Sequence, residues 1–275
     1  MPELPEVQTV VNSLRPRLLD RTIVRVRLHR QDILQPRETN LAKCLSGRAI
    51  RAIDRRGKRI IFTLDDSCRF YVHLGMTGQL TVTHSPADPL PSHTHLQIDL
   101  ESGGQLRFRD ARRFGGVWWL GCATDADAGM GPEPLSIRPR QLAQRLAKTR
   151  RAIKTALLDQ TILAGMGNIY ADEALFAAGI NPLTPARGLS GEQIVDLSRS
   201  IKTTLRSAIR HGGSSLRDYV DANGSSGRYQ NRHSVYGREK KPCRKCGTPI
   251  SRIVLGGRST HFCPKCQRPR TSARL

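Results

Sequence analysis

Aromatic side chains are scarce in this chain: Phe, Trp and Tyr together make up 5% of 275 residues. A surface that works mainly by stacking bases on rings is therefore disfavoured. No apolar run approaches the ~18 to 20 residues that a membrane span needs. The first 20 residues carry Glu3 and Glu6 and no apolar core, which argues against a secretory signal and for a soluble, cytoplasmic protein. Acids are also in short supply, with 23 Asp and Glu against 45 Lys and Arg, a formal net charge of +22. The shortage is local. Residues 1–135 have a net charge of +4 and residues 136–275 a net charge of +18. Solvated surfaces ordinarily mix signs, so a one-sided excess points to a polyanion, with nucleic acid ahead of an anionic membrane. What is present is enough for packed cores: 38% of residues are apolar, and the length favours two or three modest domains.

The hydrophobic pattern changes period along the chain. Over residues 3–19, Val7, Val10, Val11, Leu14 and Leu18 recur at helical spacing, with Pro5 suited to a first turn. Alternation follows, in Val24, Val26 and Leu28, then Phe70, Val72 and Leu74, then Leu80 and Val82. Leu96, Ile98 and Leu100 lead through Gly103-Gly104 into Leu106 and Phe108, the pattern of a hairpin. Short strands with frequent turns predict a β-sandwich or barrel over about 20–120. Residues 123–139, rich in Ala, Asp, Gly and Pro, mark a domain boundary. Helical spacing returns beyond it. Asn168 is placed to cap one helix, and Ser190 with Gln193 forms a capping box for another that runs to Arg210. Residues 213–231 are rich in Gly, Ser and Asn and predict a long loop.

Four of the seven cysteines form Cys243-x2-Cys246-x16-Cys263-x2-Cys266. Each CxxC offers two thiolates on one turn, and a gap of 16 lets a β-hairpin close the pairs around one tetrahedral Zn2+. Four protein ligands leave no open position, so the metal is expected to be structural, supplying folding free energy to a segment too short for its own core. Two disulfides or a dithiol redox pair are the other readings of the same spacing. Arg252, Arg258 and Arg268 lie within the finger and can face phosphate. The remaining cysteines, Cys44, Cys68 and Cys122, are expected as buried free thiols in a reducing compartment.

Two further motifs have a bland and a functional reading. Gly165-Met166-Gly167-Asn168 is either a helical hairpin turn or a phosphate-receiving helix start. Met1-Pro2-Glu3-Leu4-Pro5-Glu6 is either an acid-rich helix N-terminus or a nucleophile. With Met1 removed, Pro2 becomes a secondary amine, and an α-amine with a pKa near ~8 is far more available at neutral pH than a lysine. Its attack on a sugar C1′ gives an iminium that is obligatorily cationic and serves as an electron sink. Glu3 stands beside it as a general acid or base.

Met1-Pro2-Glu3-Leu4-Pro5-Glu6-Val7, Gly165-Met166-Gly167-Asn168-Ile169-Tyr170 and the four-cysteine finger, in this order, closely resemble the bacterial formamidopyrimidine-DNA glycosylases. These are the 8-oxoguanine glycosylases and abasic-site lyases of base-excision repair. The resemblance implies an α+β multidomain protein with three parts. These are an N-terminal β-sandwich with a leading helix (1–135), a helix–two-turn–helix domain with a lesion-capping loop (136–231) and a C-terminal β-hairpin zinc finger (232–275). It implies Pro2 as the Schiff-base nucleophile, Glu3 as the acid on the ribose ring oxygen, Glu6 as a buttressing carboxylate and Lys58 as a contact to phosphate near the lesion. Asn168 and Arg258 match two phosphate clamps, Tyr236 and His93 further DNA contacts, and Lys154 a lysine on the lesion side. Met76, Arg112 and Phe114 match the wedge that fills the stack when a nucleotide is flipped out, with Arg112 reading the orphaned cytosine. Read without the family, Met76 and Phe114 would be core residues.

The partner implied is double-stranded DNA holding oxidised purines or abasic sites. A monomer, one structural Zn2+ and no other cofactor are expected. The chain departs from the family at Met130 and Met166, both apolar swaps at turns. The 214–227 loop varies within the family, so no base-reading residue is assigned there. Endonuclease VIII shares Pro2 but typically has Gly where this chain has Leu4. A non-catalytic damage binder or a zinc-ribbon transcription factor would lack the amine chemistry.

Overall fold

The computed structural model describes residues 1–122, 129–216 and 218–269. They form two compact units, Met1–Ala128 with His211–Gln230, and Gly129–Arg210 with Asn231–Leu275. Two long-range packings, invisible to local pattern, group the chain in this way. The 211–230 segment packs with the N-terminal unit, and the finger packs with the helices. Of the expected boundary, residues 123–128 lie outside the described residues. No described helix is long and apolar enough to cross a membrane.

The first unit opens with α1 (Leu4–Leu18), which has Pro5 in its first turn and a Glu3–Glu6 capping box at its start. Val7, Val10, Val11, Leu14 and Leu18 form its fully buried stripe. A short α2 (Leu41–Leu45) and nine strands follow: β1 (Ile23–Leu28), β2 (Leu34–Gln35), β3 (Ile50–Arg56), β4 (Arg59–Leu64), β5 (Arg69–His73), β6 (Gln79–Thr83), β7 (Thr94–Leu100), β8 (Gln105–Arg109) and β9 (Gly116–Gly121). They make a four-stranded sheet in the order β1-β7-β8-β6 and a five-stranded sheet in the order β2-β9-β5-β4-β3. One hydrophobic core draws on α1 and both sheets, the sandwich that the alternation predicts. The expected β7–β8 hairpin is present, with Ile98 opposite Leu106 and Leu96 opposite Phe108.

In β1 the alternation misleads. A register shift between Ile23 and Arg25 turns Ile23 inward and leaves Val24 exposed. The cysteines depart further from expectation. Cys68 and Cys122 are joined by a disulfide; Cys68 is buried, Cys122 exposed, and Cys44 half-buried and free. The antiparallel pairing of β5 with β9 sets Arg69 opposite Gly121, so the next residues out, Cys68 and Cys122, meet across the strands.

Among its described residues, the 213–231 segment has no helix or strand before a single 3-10 turn at Tyr229–Arg232. It is nonetheless anchored. Tyr219 and Ala222 enter the sandwich core, and Ala222 accepts from the Val82 N–H and donates to Ser13 Oγ.

The second unit holds α3 (Pro139–Leu146), α4 (Ile153–Leu158), α5 (Asn168–Ala177), α6 (Gly191–Arg210) and the hairpin β10 (Ser251–Leu255) with β11 (Arg258–Phe262). The Ser190–Gln193 capping box is present, with reciprocal bonds of 3.0 and 3.2 Å. Asn168 is not the cap of α5. Gly167 holds that position, and Asn168 is the first helical residue, its side chain engaged elsewhere.

Candidate active site and nucleic-acid interface

In the first unit the N-terminal turn is fixed by carboxylates. Pro2, Glu3 and Glu6 are buried. The Glu3 N–H donates to Glu6 Oε2 at 2.8 Å, and the Ser214 N–H donates to Glu6 Oε1 at 2.7 Å. Glu6 therefore ties the segment after Pro2 to the start of the 213–231 segment. Gly213 is required there: its φ is +77°, and a Cβ would stand 2.7 Å from Glu6 Oε1. The Tyr219 hydroxyl donates to the Glu6 carbonyl at 3.2 Å, and burial, with the Glu6 charge second, pushes its pKa up. Tyr219 was not legible in advance, since nothing in a Gly/Ser-rich stretch marks a buried anchor.

Lys58 sits in the tight turn between β3 and β4 and is 8% exposed. Burial lowers the His73 imidazole to about 4, and the charges of Lys58 and Arg59 push it the same way, so His73 is neutral at physiological pH.

The wedge candidates lie on two turns of this unit and are not core residues. Met76 is 41% and Phe114 57% exposed. Arg112 is exposed, with its guanidinium 4.6 Å from the Phe114 ring centroid. One buried acid that the sequence reading passed over joins the two turns. Asp110 accepts from Thr77 Oγ1 at 2.5 Å, from the Arg112 N–H at 3.3 Å and from the Gly115 N–H at 2.8 Å. Gly75 and Gly115 let the backbones touch; a Cβ on Gly75 would lie 2.4 Å from the Gly115 nitrogen. Exposed apolar side chains on a turn pinned this way are presented, not buried. His93 is exposed at positive φ, and its carbonyl accepts from the Asp110 N–H at 3.0 Å.

In the second unit, Asn168, Lys154 and Arg258 converge on one strand. Asn168 Nδ2 donates to the Ser259 carbonyl at 2.9 Å, and Lys154 Nζ donates to the same oxygen at 2.7 Å. Ser259 follows Arg258 on β11, and Arg258 is exposed. Lys154 is fully buried in an ion pair with Asp172 at 2.7 Å. As placed here, its ammonium orders backbone and does not face solvent, unlike the lesion-side lysine expected from the resemblance. Asp172 also accepts the His261 N–H at 2.9 Å. Tyr236 packs edge-on between His233 and His261, at ring distances of 5.6 and 5.0 Å. Its backbone N–H, with those of Ser234 and Val235, is held by buried Glu173. No local pattern marks Asp172, Glu173 or Ser259, because each acts on a partner more than 60 residues away or on backbone.

The finger cysteines come together as their spacing predicts. Their four sulfurs lie within 4.8 Å of one another, with Cys246 and Cys263 at 3.5 Å and Cys243 and Cys266 at 3.9 Å. Four thiolates about 2.3 Å from a tetrahedral zinc stand roughly 3.8 Å apart, so the set fits one Zn2+ with no position left for water. Gln267 fastens the finger to the helices, donating to the Ile180 carbonyl at 2.8 Å and accepting from the Cys263 N–H at 2.9 Å.

Comparison with known proteins matches each part. Residues 1–117 match the formamidopyrimidine-DNA glycosylase N-terminal domain, 130–220 its H2TH domain and 240–269 the zinc finger found in FPG and IleRS. The formamidopyrimidine-DNA glycosylase of Geobacillus kaustophilus is 43% identical over 98% of this chain and 100% of its own. That of Chloroflexus aggregans is 47% identical over 97% and 98%. Among solved structures, a Lactococcus lactis FPG variant bound to Fapy-dG-containing DNA superposes with a TM-score of 0.89 at 36% identity, over 97% of this chain and 100% of that one. The Thermus thermophilus MutM (FPG) protein gives 0.86 at 40%, over 97% and 98%. With its N-terminal sandwich, its helical domain and its four-cysteine finger all matched in order, the chain belongs to the formamidopyrimidine-DNA glycosylase family.

Proposed function

We propose that this DNA glycosylase is bifunctional, excising 8-oxoguanine opposite cytosine and formamidopyrimidines and then cleaving the abasic strand. The observation that carries the reading is the buried Pro2-Glu3 pair, held by Glu6 through the Glu3 and Ser214 N–H groups. A nucleophile held in one geometry meets C1′ without the entropy loss of a free amine. The support from outside is that relatives are solved with Fapy-dG-containing and abasic-site-containing DNA.

Once Met1 is removed, the Pro2 nitrogen attacks C1′ of a nucleotide extruded from the duplex, and the damaged base leaves. Glu3 supplies the proton to the ribose ring oxygen as the ring opens to the iminium. The iminium acidifies the 2′ hydrogens; β-elimination breaks the 3′ C–O bond and δ-elimination the 5′ one. Met76, Arg112 and Phe114 fill the vacated stack, and Lys58, His93, Asn168, Tyr236 and Arg258 hold the DNA backbone. The four cysteines would hold the zinc, which supports the fold of the finger. The protein acts as a monomer on double-stranded DNA in the bacterial cytoplasm.

The test is borohydride trapping on an 8-oxoguanine:cytosine duplex, followed by peptide mapping. A cross-link at Pro2 is expected. Persistent absence of an adduct with Met1-free protein would leave a damage binder, and faster excision of thymine glycol than of 8-oxoguanine would favour an endonuclease VIII type of specificity.

A further inference from the structure

Cys68 and Cys122 stand apart from the other five cysteines. They cap the antiparallel β5–β9 pair one residue beyond the Arg69–Gly121 step, and they are bonded to each other, whereas the four finger sulfurs are free thiols in a metal-binding array. The partners differ in access. Cys122 is exposed, and Cys68 is 5% exposed. An Asp66 carboxylate oxygen and the two sulfurs all lie within 4.8 Å of one another. Asp66 is held in place by an ion pair with Arg48 and by accepting the Cys68 N–H at 3.1 Å. Cys44 is the natural contrast: it is half-buried and unbonded, and burial pushes its thiol pKa up, which lowers its thiolate fraction.

We propose that Cys68 and Cys122 form a reversible redox-modification site, oxidised by hydrogen peroxide and reduced by a dithiol. The exposed Cys122 sulfur attacks one peroxide oxygen. The O–O bond breaks, water leaves and Cys122 becomes a sulfenic acid. Cys68 then attacks the Cys122 sulfur; the S–S bond forms, the S–O bond breaks and a second water leaves. Two thiols and one peroxide give one disulfide and two waters, the two electrons passing from sulfur to the O–O bond. Asp66 is placed to take the thiol proton. A dithiol reverses the change and is itself oxidised to a disulfide.

The arrangement favours this pair for reasons of access and proximity. The oxidant meets Cys122, and the resolving thiol is already positioned, which makes the second step effectively intramolecular. The ring closed by the bond spans residues 68–122, a separation of 54, and contains Met76, Arg112 and Phe114. Oxidation therefore ties the far ends of the strands that lead into the two wedge turns. The proposal does not depend on the catalytic reading, because its test follows sulfur and zinc.

The experiment uses the full zinc-loaded chain, reduced with dithiothreitol, freed of it and titrated with hydrogen peroxide. Thiols outside the finger are counted by alkylation, zinc with a chromogenic chelator, and linkages by non-reducing peptide mapping. The expected result is a fall from three such thiols to one, with a Cys68–Cys122 linked peptide, at peroxide doses that retain the finger's zinc. Dithiothreitol should reverse it without denaturant. Cys122→Ser, an exposed position that tolerates the change, should abolish the linkage and leave Cys44 untouched. Separate alkylation of Cys68 and Cys122 after peroxide would overturn the proposal. So would zinc loss before linkage, a disulfide that yields only after unfolding, or a second zinc per chain held by Asp66, Cys68 and Cys122.

Discussion

Lys154 and Asn168 donate to one acceptor, the Ser259 carbonyl, at 2.7 and 2.9 Å. The shared oxygen lies on the residue after Arg258, so the start of α5 and the finger strand are set by one buried hub. Asn168 donates one amide hydrogen to it and has a second that the proposed phosphate contact would use. Lys154 has its charge balanced by Asp172, which in turn holds the His261 N–H. The hub fixes how the two proposed phosphate clamps are presented relative to each other within the second unit.

Lys154→Met should leave Asp172 buried without its cation, at a cost of about 3 to 5 kcal/mol in stability. Adding Asp172→Leu should restore part of that loss, because an apolar pair is tolerated where a lone charge is not, while the buried His261 N–H loses its acceptor. Both proteins are compared by thermal unfolding and by affinity for lesion-bearing and undamaged duplexes. Positioning through Ser259 predicts that the double variant binds both DNAs more weakly by similar factors. A selective loss of 8-oxoguanine excision with normal DNA affinity would return Lys154 to the lesion side.

Clamping and reading separate by salt. Arg258→Ala and Lys58→Ala should each reduce the salt slope of DNA binding by roughly one unit, because about one fewer counterion is released. Asn168→Ala should leave the slope nearly unchanged, since its amide is neutral. Arg112→Ala should cost about 1 to 3 kcal/mol and relax the preference for cytosine over adenine opposite 8-oxoguanine. Excision rates and affinities across a salt series measure both effects; an Arg258→Ala protein that shifts base preference as much as Arg112→Ala would show that the roles are misassigned.

Chelating zinc, or Cys246→Ser, should unfold the finger and abolish DNA binding while the sandwich stays folded on its own core. The structure adds a consequence. The finger supplies Ser259 and His261 to the hub, so losing it also strips Lys154, Asn168 and Asp172 of partners. Hydrogen exchange should show α5 protection falling with the finger, and α1 protection unchanged. Undiminished lesion affinity in metal-free protein is the result that contradicts this.

Acid should weaken each unit through one histidine. Burial lowers His73 and His233 to about 4 each. The unfolded chain takes up these protons near pH ~6.5, but the folded chain does not until about pH 4. Stability is therefore full above pH ~6.5 and falls as pH drops toward 4, by up to about 3 kcal/mol for each group. His73→Gln should flatten that fall for the first unit alone, read from urea midpoints at pH 7, 6 and 5. Parallel pH curves for the variant and parent proteins would show that His73 is not the group responsible.

The sequence alone made the metal site and much of the local fold legible. The four finger cysteines were visible because ligand spacing on two tight turns is local. The α1 stripe and the β7–β8 hairpin were visible because side-chain period follows backbone geometry. The role proposed for Pro2-Glu3 rests on amine chemistry, which depends on the residue itself. Other features depended on distant segments. Whether Met76 and Phe114 were core or presented was decided by Asp110 pinning two turns that are over 30 residues apart in the chain. Lys154 was expected on the lesion side from the resemblance, and only the fold showed it enclosed by Asp172 and Ser259. Cys68 and Cys122 had no reason to be paired until β5 and β9 were set side by side. Val24 matched the alternation but was turned out by a bulge. Spacing reports which groups share a turn or a face. Burial, and the partners a charge or thiol meets there, arise only when segments far apart in sequence compete for the same interior, and that competition is settled by packing.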